Sequence, residues 1–292
     1  MDLPRITLVT PSYNQGPYLE TTIRSILDQG YANLEYIIVD GGSTDESVDI
    51  IKRYQDRLAW WVSEKDRGQS HAINKGFERA TGDIYCYINS DDTLKPGALA
   101  AVADAWKQGH EFITGWVVLL ESDGGEWPQL PFGRSTNPEW LIWNPLCQQA
   151  TYWAARFTKQ LGGFREDLHY CFDYEFWMRL WFVGKAKPHM IKRCMGGYRL
   201  HGESKTVSQS DAFDPEFRQL RAEYRKYLTP GERKLSDEAL RERCLKEYRN
   251  KAWAALMGKN IGEARKYTRE VLRLDRFSLQ TWRLMYCAIR GY

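Results

Sequence analysis

The stretch Asp83-Ile84-Tyr85-Cys86-Tyr87-Ile88-Asn89-Ser90-Asp91-Asp92-Thr93-Leu94 decides the fold. Its first half is short, aromatic and β-branched, the signature of a buried strand. The run stops at Asn89-Ser90-Asp91-Asp92. Lys95-Pro96-Gly97 then turns the chain, and Ala98–Trp106 has helical spacing. Two adjacent carboxylates therefore sit at the carboxyl end of a strand, where open α/β sheets bind ligands. Side by side they repel, and a divalent cation on oxygen ligands is the simplest neutraliser. Capping of the next helix is the alternative reading of the same pair.

Toward the N-terminus, Arg5–Thr10 reads as a buried strand closed by Pro11–Gly16. Pro17 opens a helix with Leu19, Ile23, Ile26 and Leu27 on one face. Leu34–Val39 is a second strand, ended by Asp40-Gly41-Gly42. Ser43-Thr44-Asp45-Glu46 has capping-box spacing before a helix marked by Val48 and Ile51. Leu58–Ser63 is a third strand, leading through Glu64–Gln69 into a helix with Ile73 and Phe77 facing inward. This β-α alternation with short connections predicts an α/β fold, a mostly parallel sheet covered by helices. Asp40, Asp66 and the Asp91/Asp92 pair all fall on one rim of it, which points to one shared site.

Beyond Trp106, Phe112–Leu120 reads as a strand, Ser122–Thr136 as a Gly/Pro-rich loop, and Cys147–Trp153 as another strand. Asp173–Trp181 has helical spacing and opens on an acid, either a cap or a functional carboxylate. From about Pro215 the pattern is helical throughout. Thr229-Pro230-Gly231-Glu232 is a capping box. Apolar faces follow at Leu240/Cys244/Leu245/Tyr248, Ala264/Tyr267/Val271 and Leu279/Trp282/Ile289. The expected division is an α/β domain over 1–215 and an all-α extension over 216–292.

No stretch approaches 18 apolar residues, and no N-terminal segment has the layout of a signal peptide. The six cysteines are scattered without a C-x-x-C pair, which argues against zinc and a disulfide framework and fits a reducing cytoplasm. From Arg218 onward there are 19 Lys and Arg against 9 Asp and Glu, a surplus of ten; the remainder holds 22 against 29. An acidic body with a basic tail points to an anionic partner for the tail, or to a solvated helical surface. No G-x-G-x-x-G follows the first strand, so a dinucleotide-dependent oxidoreductase does not fit. Thr10–Gly16 contains no Lys or Arg, which argues against a nucleotidyltransferase loop.

Taken together, Thr10-Pro11-Ser12-Tyr13-Asn14, Val39–Asp45, Gly68–Gly76, Asn89–Asp92, Gly162-Gly163-Phe164, Phe172–Glu175 and Tyr198–His201 resemble family 2 glycosyltransferases in order and type. These are GT-A-fold enzymes that use nucleotide-diphospho-sugars. The resemblance runs to about His201 and leaves the tail unassigned. It implies that Thr10, Pro11 and Tyr13 line the nucleotide pocket and that Asp40 accepts a hydrogen bond from the base. It places Asp66 and Lys75 near the nucleotide and its phosphates, although Lys75 also reads as a solvated helix lysine. It gives Asp91 the ribose or metal, and Asp92 and His201 a divalent metal, Mn²⁺ or Mg²⁺. Asp173 matches the catalytic base of an inverting single displacement. Trp140 and Trp143 read either as sugar-stacking or as buried aromatics.

Three positions depart from the family pattern. Ser90 stands where a strict D-x-D has its first Asp, Phe172 stands where an acid often precedes the base, and His71 occupies an often acidic position. The implied partners are a nucleotide-sugar donor, a saccharide or lipid-linked acceptor, and an anionic membrane surface met by the basic helices, with no nucleic acid. The implied location is cytoplasmic, peripheral at the inner face of the membrane. The reading from another class is a catalytically silent sugar- or nucleotide-binding module of the same fold.

Overall fold

The computed structural model describes residues 3–120, 125–129, 136–202 and 204–291. The chain divides into two compact units. The first comprises 1–135 with 144–224, and the second 136–143 with 225–292. The boundary expected between 215 and 216 falls inside a helix of the first unit, Phe213–Tyr224.

In the first unit, β1 (Ile6–Ser12), α1 (Gly16–Leu27), β2 (Leu34–Asp40), α2 (Ser47–Tyr54), β3 (Trp60–Ser63), α3 (Gln69–Arg79) and β4 (Ile84–Tyr87) alternate as the sequence predicts. β1 lies parallel between β2 and β4, and β3 extends the block beyond β2. All seven residues of β1 are buried, as expected for a central strand covered on both faces. β5 (Thr93–Leu94) and α4 (Ala98–Lys107) follow, then β6 (Phe112–Leu120) and β7 (Glu126–Gln129). The loop expected over 122–136 lies largely outside the described residues, but β7 falls within it and pairs antiparallel with β6.

The segment expected as a strand over 147–153 is instead a tight turn at Gln148–Ala150 followed by β8 (Tyr152–Ala154). β8 lies antiparallel between β4 and β6 and so joins the two halves of the sheet. After α5 (Ala155–Leu161) and α6 (Phe172–Phe182) comes β9 (His189–Arg199), parallel to β6 and capped at its far edge by β5. The sheet order is β3-β2-β1-β4-β8-β6-β9-β5, with β7 beside β6. β9 carries Lys192, Arg193 and two glycines, so neither its composition nor its alternation signals a strand. α7 (Lys205–Ser208) and α8 (Phe213–Tyr224) complete the unit.

The second unit is built on α9 (Pro230–Met257), α10 (Ile261–Leu274) and α11 (Leu279–Arg290). α9 starts with the expected capping box between Thr229 and Glu232. Its core is Ala252, Ala255, Leu256, Ala264, Val271, Leu284 and Ala288. The third apolar face expected from the sequence is not part of it: Leu279, Trp282 and Ile289 are exposed. Among the described residues no helix is long and apolar enough to cross a membrane.

α3 packs on β1 through Gly76. A Cβ placed there would lie 2.5 and 2.9 Å from the two Val9 methyl carbons. Gly76→Ala is therefore expected to overpack this contact and to lower the unfolding free energy by about 1–3 kcal/mol, read from urea melts.

Candidate active site

The turn after β4 is fixed from behind. The Thr22 hydroxyl on α1 donates to the carbonyls of Ser90 and Asp92 at 2.9 and 2.7 Å. The two acids of the turn then point to different environments. Asp92 is fully buried. One of its oxygens accepts the Arg199 backbone N–H at 3.0 Å, and the other accepts Gln149 Nε2 at 2.9 Å and Asn89 Nδ2 at 3.2 Å. Burial pushes its carboxyl well above the usual range, the neighbouring Asp91 charge adds to the push, and the three donors pull the other way.

Asp91 is partly exposed, and its Oδ2 lies 3.0 Å from His201 Nε2. The Arg199 guanidinium donates to the Asp91 carbonyl at 3.0 Å and sits 5.2 Å above the Tyr18 ring. That ring in turn lies 4.7 Å from the His201 imidazole. The other imidazole nitrogen, Nδ1, is buried without a hydrogen-bond partner. The resemblance gives the metal to Asp92 and His201 and the ribose or metal to Asp91; the carboxylate that faces His201 is that of Asp91, with Asp92 tied into the scaffold behind it. Among the described residues no cluster of three or more His, Cys, Asp or Glu forms a self-sufficient metal site. The Asp91–His201 pair offers one oxygen and one nitrogen, a donor set that suits a divalent ion whose remaining ligands are substrate oxygens and water.

Asp173 lies in the first turn of α6, half-buried. Its carboxylate accepts the Tyr174 N–H at 2.7 Å and the Asn144 side-chain amide at 3.4 Å. Burial outweighs these donors and raises its pKa to about 6. The charges of Asp92, Asp91 and Asp173 all reach the Tyr198 phenol, whose pKa is raised first by burial and then by them. The acids at the end of β4 and at the start of α6 thus share one neighbourhood.

The nucleotide-side expectations divide. Asp40 is fully buried, and its carboxylate accepts the Gly42 and Ser43 N–H groups at 3.0 and 2.9 Å and the Ser63 hydroxyl at 2.7 Å. It closes the end of β2 rather than facing an open slot. Ser43 also donates its hydroxyl to Asp40, so it is not the cap of α2, which begins at Ser47 after Glu46. Gly41, also buried, follows Asp40 directly. A Cβ on Gly41 would stand 2.6 Å from Asp66 Oδ2 and 3.3 Å from the Tyr13 ring, so only glycine fits against these two side chains. Tyr13 is exposed there, and Asp66 uses its other oxygen to accept the Gly68 N–H at 2.8 Å. Thr10 and Pro11 are buried, and Thr10 accepts a hydrogen bond from the Tyr36 hydroxyl. Lys75 is held by Glu64 at 2.7 Å. Trp140 is fully buried in the second unit and has no surface to offer a sugar.

The sequence profile of glycosyl transferase family 2 matches residues 7–168, more than half of the chain. The chain belongs to that family. The enzyme is 24% identical to the GalNAc(5)-diNAcBac-PP-undecaprenol β-1,3-glucosyltransferase of Campylobacter jejuni over 88% of this chain and 85% of that protein. It is 25% identical to chondroitin synthase of Escherichia coli over 94% of this chain, but spans only 37% of that larger protein. Its fold is that of the GT-A glycosyltransferases. It superposes on S. aureus TarS 1–349 in complex with UDP-GlcNAc with a TM-score of 0.65 at 17% identity, covering 99% of this chain and 89% of the other. It also superposes on the mannosyltransferase PcManGT of Pyrobaculum calidifontis, in complex with GDP-Man and Mn²⁺, with a TM-score of 0.58 at 19% identity, covering 99% and 87%.

The glycosyltransferase holds Asp173 in place through a network that joins α6 to the Gly-Gly-Phe turn. Arg179, one turn along α6 from Glu175, donates to Glu175 at 2.6 Å and to the carbonyls of Leu161, Gly162 and Gly163 at 2.8 to 3.2 Å. Glu175 also accepts the Tyr224 hydroxyl at 2.6 Å. Asn74 on α3 accepts the Phe164 N–H and donates to its carbonyl, each at 2.8 Å. The Gly-Gly-Phe turn is therefore pinned from both sides, which explains why it precedes the Asp173 helix. Asn144, Gln149 and Tyr18 carry no periodic or spacing signal in the sequence, and Asn89 shows there only as part of its motif.

The raised pKa of Asp173 has a stability consequence. A folded-state pKa near 6 against an ordinary 3.8 means that the ionised carboxylate costs stability above pH 6. The cost fades as pH falls through that window, because the folded protein then binds the proton more readily. Asp173→Asn carries no such penalty. It is expected to melt above the wild type at pH 7.5, with the difference vanishing by about pH 4 in thermal scans.

Proposed function

We propose that the enzyme transfers a sugar from a nucleotide-diphospho-sugar to the hydroxyl of a saccharide or lipid-linked saccharide, with inversion and in a single displacement. The observation that carries this reading is the partly exposed Asp91 carboxylate facing His201 at 3.0 Å, with the half-buried Asp173 carboxylate available as a base. The nucleotide-sugars in the TarS and PcManGT complexes and the undecaprenol-linked substrate in the name of the Campylobacter relative support the classes of donor and acceptor.

The base is received beside Tyr13 and Asp66. Tyr13 supplies an exposed aromatic face and Asp66 Oδ2 accepts an N–H, while Gly41 leaves room for both side chains. Asp91 and His201 hold a divalent cation, Mn²⁺ or Mg²⁺, and Asp92 orients the turn that carries Asp91. When bound, that cation supplies Lewis-acid neutralisation of the departing nucleoside diphosphate. Asp173 takes the proton of the acceptor hydroxyl as that oxygen bonds to the anomeric carbon and the bond from that carbon to the diphosphate oxygen breaks. A carboxylate with a pKa near 6 is ionised at neutral pH yet more basic than an ordinary one, which is what this step requires.

Turnover of Asp173→Asn tests the assignment. Transfer is expected to fall by about 10² to 10⁴ while donor affinity persists, and the acid limb near pH 6 in the kcat/KM profile should disappear. Undiminished transfer by this variant would remove Asp173 from the role. Asp91→Ala and His201→Ala are expected to abolish the Mn²⁺ dependence of donor binding, measured by calorimetry. A chain that binds donors but turns none over would be the silent module instead.

A further inference from the structure

We propose that the solvent-facing side of α11 is a docking surface for anionic lipid bilayers. The helix buries Thr281, Leu284 and Ala288 and leaves a second apolar stripe outside. Leu279 is 88% exposed, Trp282 52% and Ile289 63%, with Tyr286 between them half exposed. Their spacing of three, four and three residues places them on one face. Phe277, 89% exposed, extends the stripe into the preceding loop. A water-facing helix surface ordinarily carries charged side chains, and a contiguous exposed apolar stripe marks an interaction site.

The charge around the stripe selects the partner. From 276 to 292 the charged residues are Arg276, Arg283 and Arg290, with no acid among them. All three arginines are exposed, and the Arg290 guanidinium lies 5.2 Å above the Tyr286 ring. Leucine and isoleucine to enter the acyl region, tryptophan and tyrosine for the headgroup level, and arginines for lipid phosphates are the parts of an interfacial helix. The surplus of Lys and Arg over residues 225–292, 17 against 8, adds attraction that salt screens. One such helix gives reversible, salt-sensitive binding rather than insertion. The inference stands apart from the sugar-transfer reading and neither supports nor needs it.

Co-sedimentation of the full chain with vesicles tests it. The protein is expected to bind vesicles containing phosphatidylglycerol, to release in high salt, and to leave pure phosphatidylcholine vesicles largely unbound. Leu279→Ser/Trp282→Ser/Ile289→Ser should lower the partition coefficient by about ten-fold or more. Arg276→Gln/Arg283→Gln/Arg290→Gln should lower it by roughly five-fold per arginine. Trp282→Phe should retain most of the binding. Melting temperatures serve as the folding control, because the replaced side chains face water. Vesicle binding unchanged in both triple variants, or no wild-type binding to anionic vesicles, overturns the proposal. A wild-type dimer in light scattering that the serine variant breaks, without vesicle binding, assigns the face to a second copy of the chain and overturns it equally.

Discussion

A buried carboxylate has to be met by donors, and Asp92 takes them from three places in the chain. Asn89 comes from its own turn, Gln149 from the turn before β8, and the Arg199 N–H from the end of β9. Leaving such a group unpaired in the interior would cost several kcal/mol, on the order of the whole stability of many domains. The end of β9 is therefore bound to lie beside the turn that follows β4. His201, two residues beyond Arg199, reaches Asp91 as a result. The site is a consequence of satisfying the scaffold, with Asp92 facing inward so that its neighbour can face outward.

A second set of contacts brings up the other carboxylate. Arg179 spends its guanidinium on Glu175 and three carbonyls, so the Gly162-Gly163 turn and the first turns of α6 behave as one piece. Phe164, at the end of that turn, packs between Trp153, Phe172 and Phe176 with ring centroids 4.8 to 6.0 Å apart. Asp173 is thereby held at a helix N-terminus, where the backbone favours its charge, and in a desolvated place, which opposes it. Burial wins, and the pKa near 6 is the net outcome. The acid that closes β2 has another role: Asp40 is fully buried and accepts backbone N–H groups and hydroxyls, which makes it a structural clamp, with Asp66 and Tyr13 packed against the neighbouring Gly41.

The second unit follows different physics. Small residues dominate its core: Ala252, Ala255, Ala264 and Ala288 let α9, α10 and α11 approach closely, with Leu256, Val271 and Leu284 filling between them. Burying those positions fixes the rotation of α11. That rotation leaves its larger apolar side chains outside, an arrangement costly in water unless another apolar phase covers it.

By itself the sequence determined the alternation of strands and helices through β4, the family and the capping box of α9, and it singled out Asp91, Asp173 and His201 as the candidates on which the proposed function rests. Those features rest on local periodicity, turn chemistry and motif order, all carried by neighbours along the chain. Tertiary structure alone decided which of two adjacent aspartates faces the histidine, that Asp40 closes a strand while Asp66 packs against Gly41, and that 147–153 bends before it pairs. It also decided which apolar face of α11 is buried: Leu279, Trp282 and Ile289 have the same helical spacing whether they point inward or outward. Each of these depends on where donors and packing surfaces from distant segments arrive, as Arg199 does 107 residues from Asp92, and spacing along the chain carries no information about that arrival.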